Sequence, residues 1–124
     1  MKTVNLAVCF DRVPEPWSPH IVGEVNDCYV KVAKLDGPFC WHQHEAEDEL
    51  FLVVQGTLRM QFRDPDGTER ESTINPGEFL IVPRGVEHCP VADGECHVVL
   101  FEPKSTLNTG DVRNERTRNV LERI

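Results

Sequence analysis

GPFCWHQHEAEDELFLVVQG, residues 37–56, decides how the rest of the chain is read. It sets His42 and His44 one residue apart, follows them with acids, and runs into a hydrophobic stretch. On a strand, residues i and i+2 project from one face with Cα atoms ~6.5–7 Å apart. On a helix they would diverge by ~200°. His-x-His in a strand setting is therefore a chelating geometry. Glu49 opens the next run and shares a face with Phe51 and Val53. A carboxylate aimed the same way as two apolar side chains is costly unless it is paired, neutralised or bound to a cation. A metal between His42, His44 and Glu49 accounts for all three.

Outward from this stretch the chain is a series of short strands. Tyr29–Leu35, Phe39–His44, Leu50–Val54, Leu58–Phe62, Arg70–Ile74, Glu78–Val82, His88–Val91 and His97–Phe101 alternate or run apolar. Asp36-Gly37-Pro38, Gln55-Gly56, Asp64-Pro65-Asp66-Gly67, Asn75-Pro76-Gly77 and Pro83-Arg84-Gly85 separate them as turns. Regular spacing of this kind predicts an all-β sandwich or barrel. Met60, Phe62, Phe79, Ile81 and Phe101 are expected to line the barrel or fill its core. Leu50–Val54 is apolar on both faces, so its outer face needs a second sheet or a partner subunit. Lys2–Arg12 is expected to form a short helix. Three prolines within Pro14–Pro19 exclude regular structure there. The polar tail 104–124 reads as an extended arm or a small terminal helix.

GEFLIVPRGVEHCP, residues 77–90, gives a strand, a tight turn and a second strand opened by His88. His88 can supply a fourth ligand from the opposite sheet. The two stretches resemble the paired motifs of the cupin superfamily, G-x5-HxH-x3–4-E-x6-G and G-x5-PxG-x2-H-x3-N. Gly37 is followed by four residues rather than five, a loop-length change. His42, His44, Glu49 and Gly56 fit the first motif, and Gly77, Pro83, Gly85 and His88 the second. Ala92 stands where Asn is usual. Trp17-Ser18-Pro19, Val22–Asp27, Trp41–His44, Glu102-Pro103 and Leu107–Asp111 are similar to a group of small cupin-2-type proteins labelled mannose-6-phosphate isomerase-like.

The resemblance implies one cupin domain over 1–124, a double-stranded β-helix or jelly-roll barrel with a short N-terminal helix or arm, and commonly a homodimer. It implies one divalent metal held by His42, His44, Glu49 and His88. Three imidazoles and a carboxylate suit Fe, Mn, Ni, Zn or Cu without choosing among them. Four protein ligands on an octahedral ion leave two positions open, so dioxygenase, isomerase and lyase chemistry all fit. The expected function is a metal-dependent enzyme on a small organic molecule held in the barrel. The competing reading is a non-catalytic module that binds a small molecule or metal. Tyr29 and Cys40 are the weaker catalytic candidates: Tyr29 as acid or base if its strand faces the barrel, Cys40 because it shares parity with the histidines.

With 124 residues, 13 basic and 21 acidic, the chain carries a net charge of −8. That disfavours nucleic acid and anionic membranes, which need a basic patch to displace counterions. The N-terminus lacks the apolar region of a signal peptide, and no apolar run is long enough to span a bilayer. Cys9, Cys28, Cys40, Cys89 and Cys96 form no Cys-x-x-Cys pair. An odd number without a leader reads as reduced thiols and a cytoplasmic location. No phosphate-cradling glycine loop is present, so a sugar phosphate substrate is not expected.

Overall fold

The computed structural model describes residues 1–124. One short helix, α1 (Leu6–Asp11), precedes seven strands: β1 (His20–Val25), β2 (Cys28–Pro38), β3 (Glu49–Gln55), β4 (Leu58–Arg63), β5 (Glu69–Ile74), β6 (Phe79–Val82) and β7 (His88–Pro103). Asn5 caps α1 by accepting a hydrogen bond from the Val8 amide. The helix is shorter than the expected Lys2–Arg12.

All strand pairs are antiparallel, in the order β1-β2-β7-β3-β6, with the β4–β5 hairpin joined through β4 to β7. β7 is one continuous strand where the sequence suggested two. Its first part, His88–Ala92, pairs with β4. Its second part, from Cys96 onward, lies between β2 and β3. It thus ties the two halves of the barrel together. Gly56 permits the tight entry to β4: a Cβ there would lie 2.7 Å from the Glu95 carbonyl oxygen, and φ is +83°.

Ala33, Leu35, Phe51, Val53, Leu58, Met60, Val98 and Leu100 fill the barrel core, with Trp17 at one end. On the outside, α1 and Val13 pack on Val32 and Val99. Met60 is buried, as expected, but Phe79 and Ile81 are not lining residues: they are 61% and 53% exposed. In β6 it is Leu80 that packs on the core and Val82 that is buried within it, so their neighbours point outward. Phe101 also belongs to the outer face, opposite Val30 and Leu50. Phe62 is half-buried toward the end of β4.

The tail beyond Pro103 is an irregular arm without a helix. Its end pairs with β1 through Ile21 N–H to Glu122 O (2.9 Å) and Ile124 N–H to Ile21 O (3.0 Å). That covers a strand edge which would otherwise present free amides. No helix is long and apolar enough to cross a membrane.

Candidate metal centre

His42 and His44 do not lie on a strand. The β2 ladder ends at Pro38, paired with Val91, and the chain then bends through a loop that meets β7 by the Phe39 amide on the Pro90 carbonyl (2.9 Å) and by the His42–His88 bridge. That bridge is reciprocal: His42 N–H to His88 O at 3.0 Å and His88 N–H to His42 O at 2.9 Å. Two further bonds draw the motif loops together, from the Gly85 amide to His44 O (2.8 Å) and from the Arg84 amide to the Asp48 carboxylate (2.9 Å). Glu49 is the first residue of β3, and its side chain follows Phe51 and Val53 into the barrel.

The structure brings His42, His44, Glu49 and His88 together. All four are buried, and their ligand atoms lie within 4.8 Å of one another. His44 Nε2 and His88 Nε2 stand 2.8 and 3.3 Å from Glu49 Oε1. Donor atoms ~2.1 Å from one ion sit ~3 Å apart at right angles, so this spacing fits a single metal ion. His42 Nδ1 donates to Cys40 O and His88 Nδ1 to Val86 O, each at 2.9 Å. A carbonyl only accepts, so Nδ1 carries the proton and Nε2 offers its lone pair inward. His44 Nε2, Glu49 Oε1 and His88 Nε2 are buried without a hydrogen-bond partner. A cation at their centre would satisfy all three.

Electrostatics of the cluster agree. Burial, helped by the neighbouring His88, pulls His42 down to about 4, so it stays neutral. Burial opposes the charging of His44, but contact with Glu49 outweighs it and the net shift is upward. Glu49 is held well below the usual carboxylate range: burial works against its charge, and contacts with Glu102, His44 and His88 overcome it.

Sequence reading missed Glu102 and Lys31. Lys31 Nζ donates to Glu102 Oε1 at 2.7 Å, with each side chain 2% exposed. A buried ammonium of that kind is tolerated only with a hydrogen-bond partner to accept from it. Burial and the Glu49 charge push the Glu102 carboxyl well above its ordinary range, so it retains its proton beside ionised Glu49. Strand parity carried the signal: Glu102 follows Val98 and Leu100 inward, and Lys31 precedes Ala33 and Leu35.

The C-terminal arm also reaches the site. The Gln43 amide donates to Asp111 Oδ1 (2.9 Å), and the Asp111 amide donates to Gln43 O (3.1 Å). Gln43 lies between the two histidines of the loop, so this clamp fixes both. Beside the cluster lies a cavity with about 40 Å³ open to water-sized molecules. His42, Glu49 and Glu102 are its ionisable walls, and Trp17, Phe39 and Phe51 line its apolar side.

Cys40 is half-buried, its Sγ 4.0 Å from His42 Nδ1. Burial raises its thiol pKa. Tyr29 does not line the cavity beside the cluster. Its hydroxyl accepts from Arg123 Nη2 at 3.5 Å, at the edge of a separate cavity. His97 stacks on Phe10 and contacts Glu95, and His20 contacts the Ser18 carbonyl, both away from the cluster.

A jelly-roll barrel with a buried His/His/Glu/His cluster defines a cupin. The Cupin_2 family profile, described as "Cupin domain", matches residues 29–112, and the chain belongs to that family. It is 32% identical over 87 residues to the uncharacterised protein YdbB of Bacillus subtilis strain 168, covering 70% of this chain and 74% of that protein. A cupin-2 domain containing protein from Shewanella frigidimarina superposes with a TM-score of 0.76 at 38% identity, over 82% of this chain and 95% of the other. Hydroquinone 1,2-dioxygenase from Sphingomonas sp. TTNP3 shares the fold, with a TM-score of 0.74 at 19% identity. That match covers 84% of this chain and 33% of the dioxygenase.

Proposed function

We propose that the chain is a metal-dependent enzyme acting on a small, oxygen-bearing organic molecule in the barrel. The observation that carries this reading is that His42 and Glu49 belong both to the four-residue cluster and to the wall of the apolar cavity. A ligand there would meet the metal directly.

His42, His44, Glu49 and His88 would hold one divalent ion of Fe, Mn, Ni, Zn or Cu. When bound, that ion would supply Lewis acidity or activation of oxygen. The chain's own residues do the rest. Trp17, Phe39 and Phe51 exclude water and strengthen every polar contact inside. Glu102 holds a proton beside Glu49 and can deliver it to a ligand atom in the same cavity. Lys31 fixes the Glu102 carboxyl in place. The size of the cavity favours a ligand of few heavy atoms, since a single water needs ~10–15 Å³ by the same measure.

Small hydroxylated and dicarbonyl compounds of few heavy atoms are the first to try, with hydroquinone, named for the dioxygenase that shares the fold, as the upper limit of size. The Trp17-Ser18-Pro19 and Leu107–Asp111 stretches support placement in the mannose-6-phosphate isomerase-like group, a label that carries no reaction with it. The contiguous apolar outer face of β3, β6 and β7 supports a homodimer. Five free cysteines support a reducing, cytoplasmic location.

The test is metal content and turnover in protein purified without a histidine tag, beside His44→Ala. We expect about one transition-metal ion per chain in the wild type, lost with turnover in the variant. Metal retained in the variant would refute the site. A ligand that raises the melting temperature and is never consumed would instead make the chain a binding module.

A further inference from the structure

A second cavity of about 400 Å³ lies where the C-terminal arm crosses the end of β2. It shares no lining residue with the cavity beside the cluster. Its walls carry four cations, Lys31, Lys104, Arg118 and Arg123, and no carboxylate. In a chain of net charge −8 such a concentration of positive charge is unexpected. Three acidic side chains meet these cations, one of them the protonated Glu102, and none lines the cavity. Glu24 is shared by Lys104 (2.8 Å) and Arg123 (2.9 Å), Glu15 lies 3.7 Å from Arg118, and Glu102 holds Lys31 at 2.7 Å. Four cations thus face two ionised carboxylates, Glu24 and Glu15, and positive charge is left in excess.

A second observation is independent of charge. Thr106 lines the same cavity, is 7% exposed, and its Oγ1 is buried without a hydrogen-bond partner. A buried hydroxyl left unpaired costs free energy that a bound acceptor would recover. Guanidinium and ammonium groups lining one cavity with an unpaired hydroxyl are the recognition chemistry of a phosphoryl group, whose several oxygens accept at once. The volume exceeds what one phosphoryl group fills and lies in the range of small-molecule sites. Ile21, Val120 and Leu121 give it an apolar side for the remainder of the ligand.

We propose that this cavity is a binding site for a small phosphomonoester, its phosphoryl group held by Arg118, Arg123 and Lys104 with the Thr106 hydroxyl donating. The site meets the cavity beside the His/His/Glu/His cluster only through the Lys31–Glu102 contact and does not depend on the function assigned to that cluster. Tyr29 also lines it, its ring 5.3 Å from Lys104 Nζ and 5.4 Å from the Arg123 guanidinium.

Calorimetric titration of the full chain with phenyl phosphate and with inorganic phosphate, at fixed ionic strength, tests this. Saturable binding of phenyl phosphate is expected, tighter than that of inorganic phosphate. Arg118→Gln and Thr106→Val should each weaken it about threefold or more, and Arg118→Gln/Arg123→Gln about tenfold or more. An unchanged melting temperature without ligand shows that each variant is folded. If the double variant is not folded, the two single variants decide. Equal binding of the two probes assigns the site to free phosphate and overturns the monoester. No saturable binding, or binding untouched by substitution, overturns the site.

Discussion

His42 and His44 are separated by one residue yet respond oppositely to their surroundings. Burial lowers His42 to about 4, whereas Glu49 contact raises His44 above the ordinary imidazole value of 6.5. A metal must displace the His44 proton wherever that proton is bound. Affinity should therefore be pH-independent above the raised His44 pKa and fall about tenfold per unit below it. The His42 proton adds a second such factor only below about pH 4. Competition with a chromophoric chelator from pH 8 to pH 5 reads this directly, and a flat profile would contradict the ordering of the two histidines. The residue types here were legible because the turns around them fix their spacing. The partition of their proton affinities was not, because it depends on which imidazole meets Glu49.

At the level of elements, the loop carrying the two histidines is held from both sides. β7 grips His42 through the reciprocal bridge, and the C-terminal arm grips Gln43 through Asp111. The close approach of the arm is permitted by Gly110, at φ +57°. A Cβ there would lie 2.2 Å from Gln43 O and 3.0 Å from the His42 ring. Gln43 lies between His42 and His44, so neither neighbour can retreat without moving a member of the cluster. Gly110→Ala should lower stability by ~2 kcal/mol in urea unfolding, from the clash and the left-handed backbone together. It should also weaken metal binding measurably. Unchanged metal affinity in a destabilised variant would show that the clamp serves the fold alone. The resemblance pointed to Leu107–Asp111, but nothing local in those residues says which loop they meet.

At the scale of the molecule, strand register assembles an outer apolar face that no single strand reveals. Leu50 stands beside Ile81 and Phe101, and Leu52 beside Phe79 and Val99. α1 covers the Val32–Val99 end, while Phe79 and Ile81 remain exposed. Exposed apolar clusters of this kind usually mark an interface. Light scattering should find a dimer for the wild type and a folded monomer for Ile81→Lys. A wild-type monomer would refute the dimer.

The sequence by itself determined the class of fold and the members of the His/His/Glu/His cluster. Alternation and turn residues are local, and the two motifs carry their own spacing, so neither needs tertiary information. Local pattern fixes which residues share a face but not which face is inside, and on that point Phe79 and Ile81 were misread. The loop shape around His42 was likewise settled by its bridge to β7. Lys31 and Glu102 meet across 71 residues of chain, and the cation-lined cavity joins β2 to the last residues of the arm. Such meetings are fixed by register and chain path, which only the packed barrel decides.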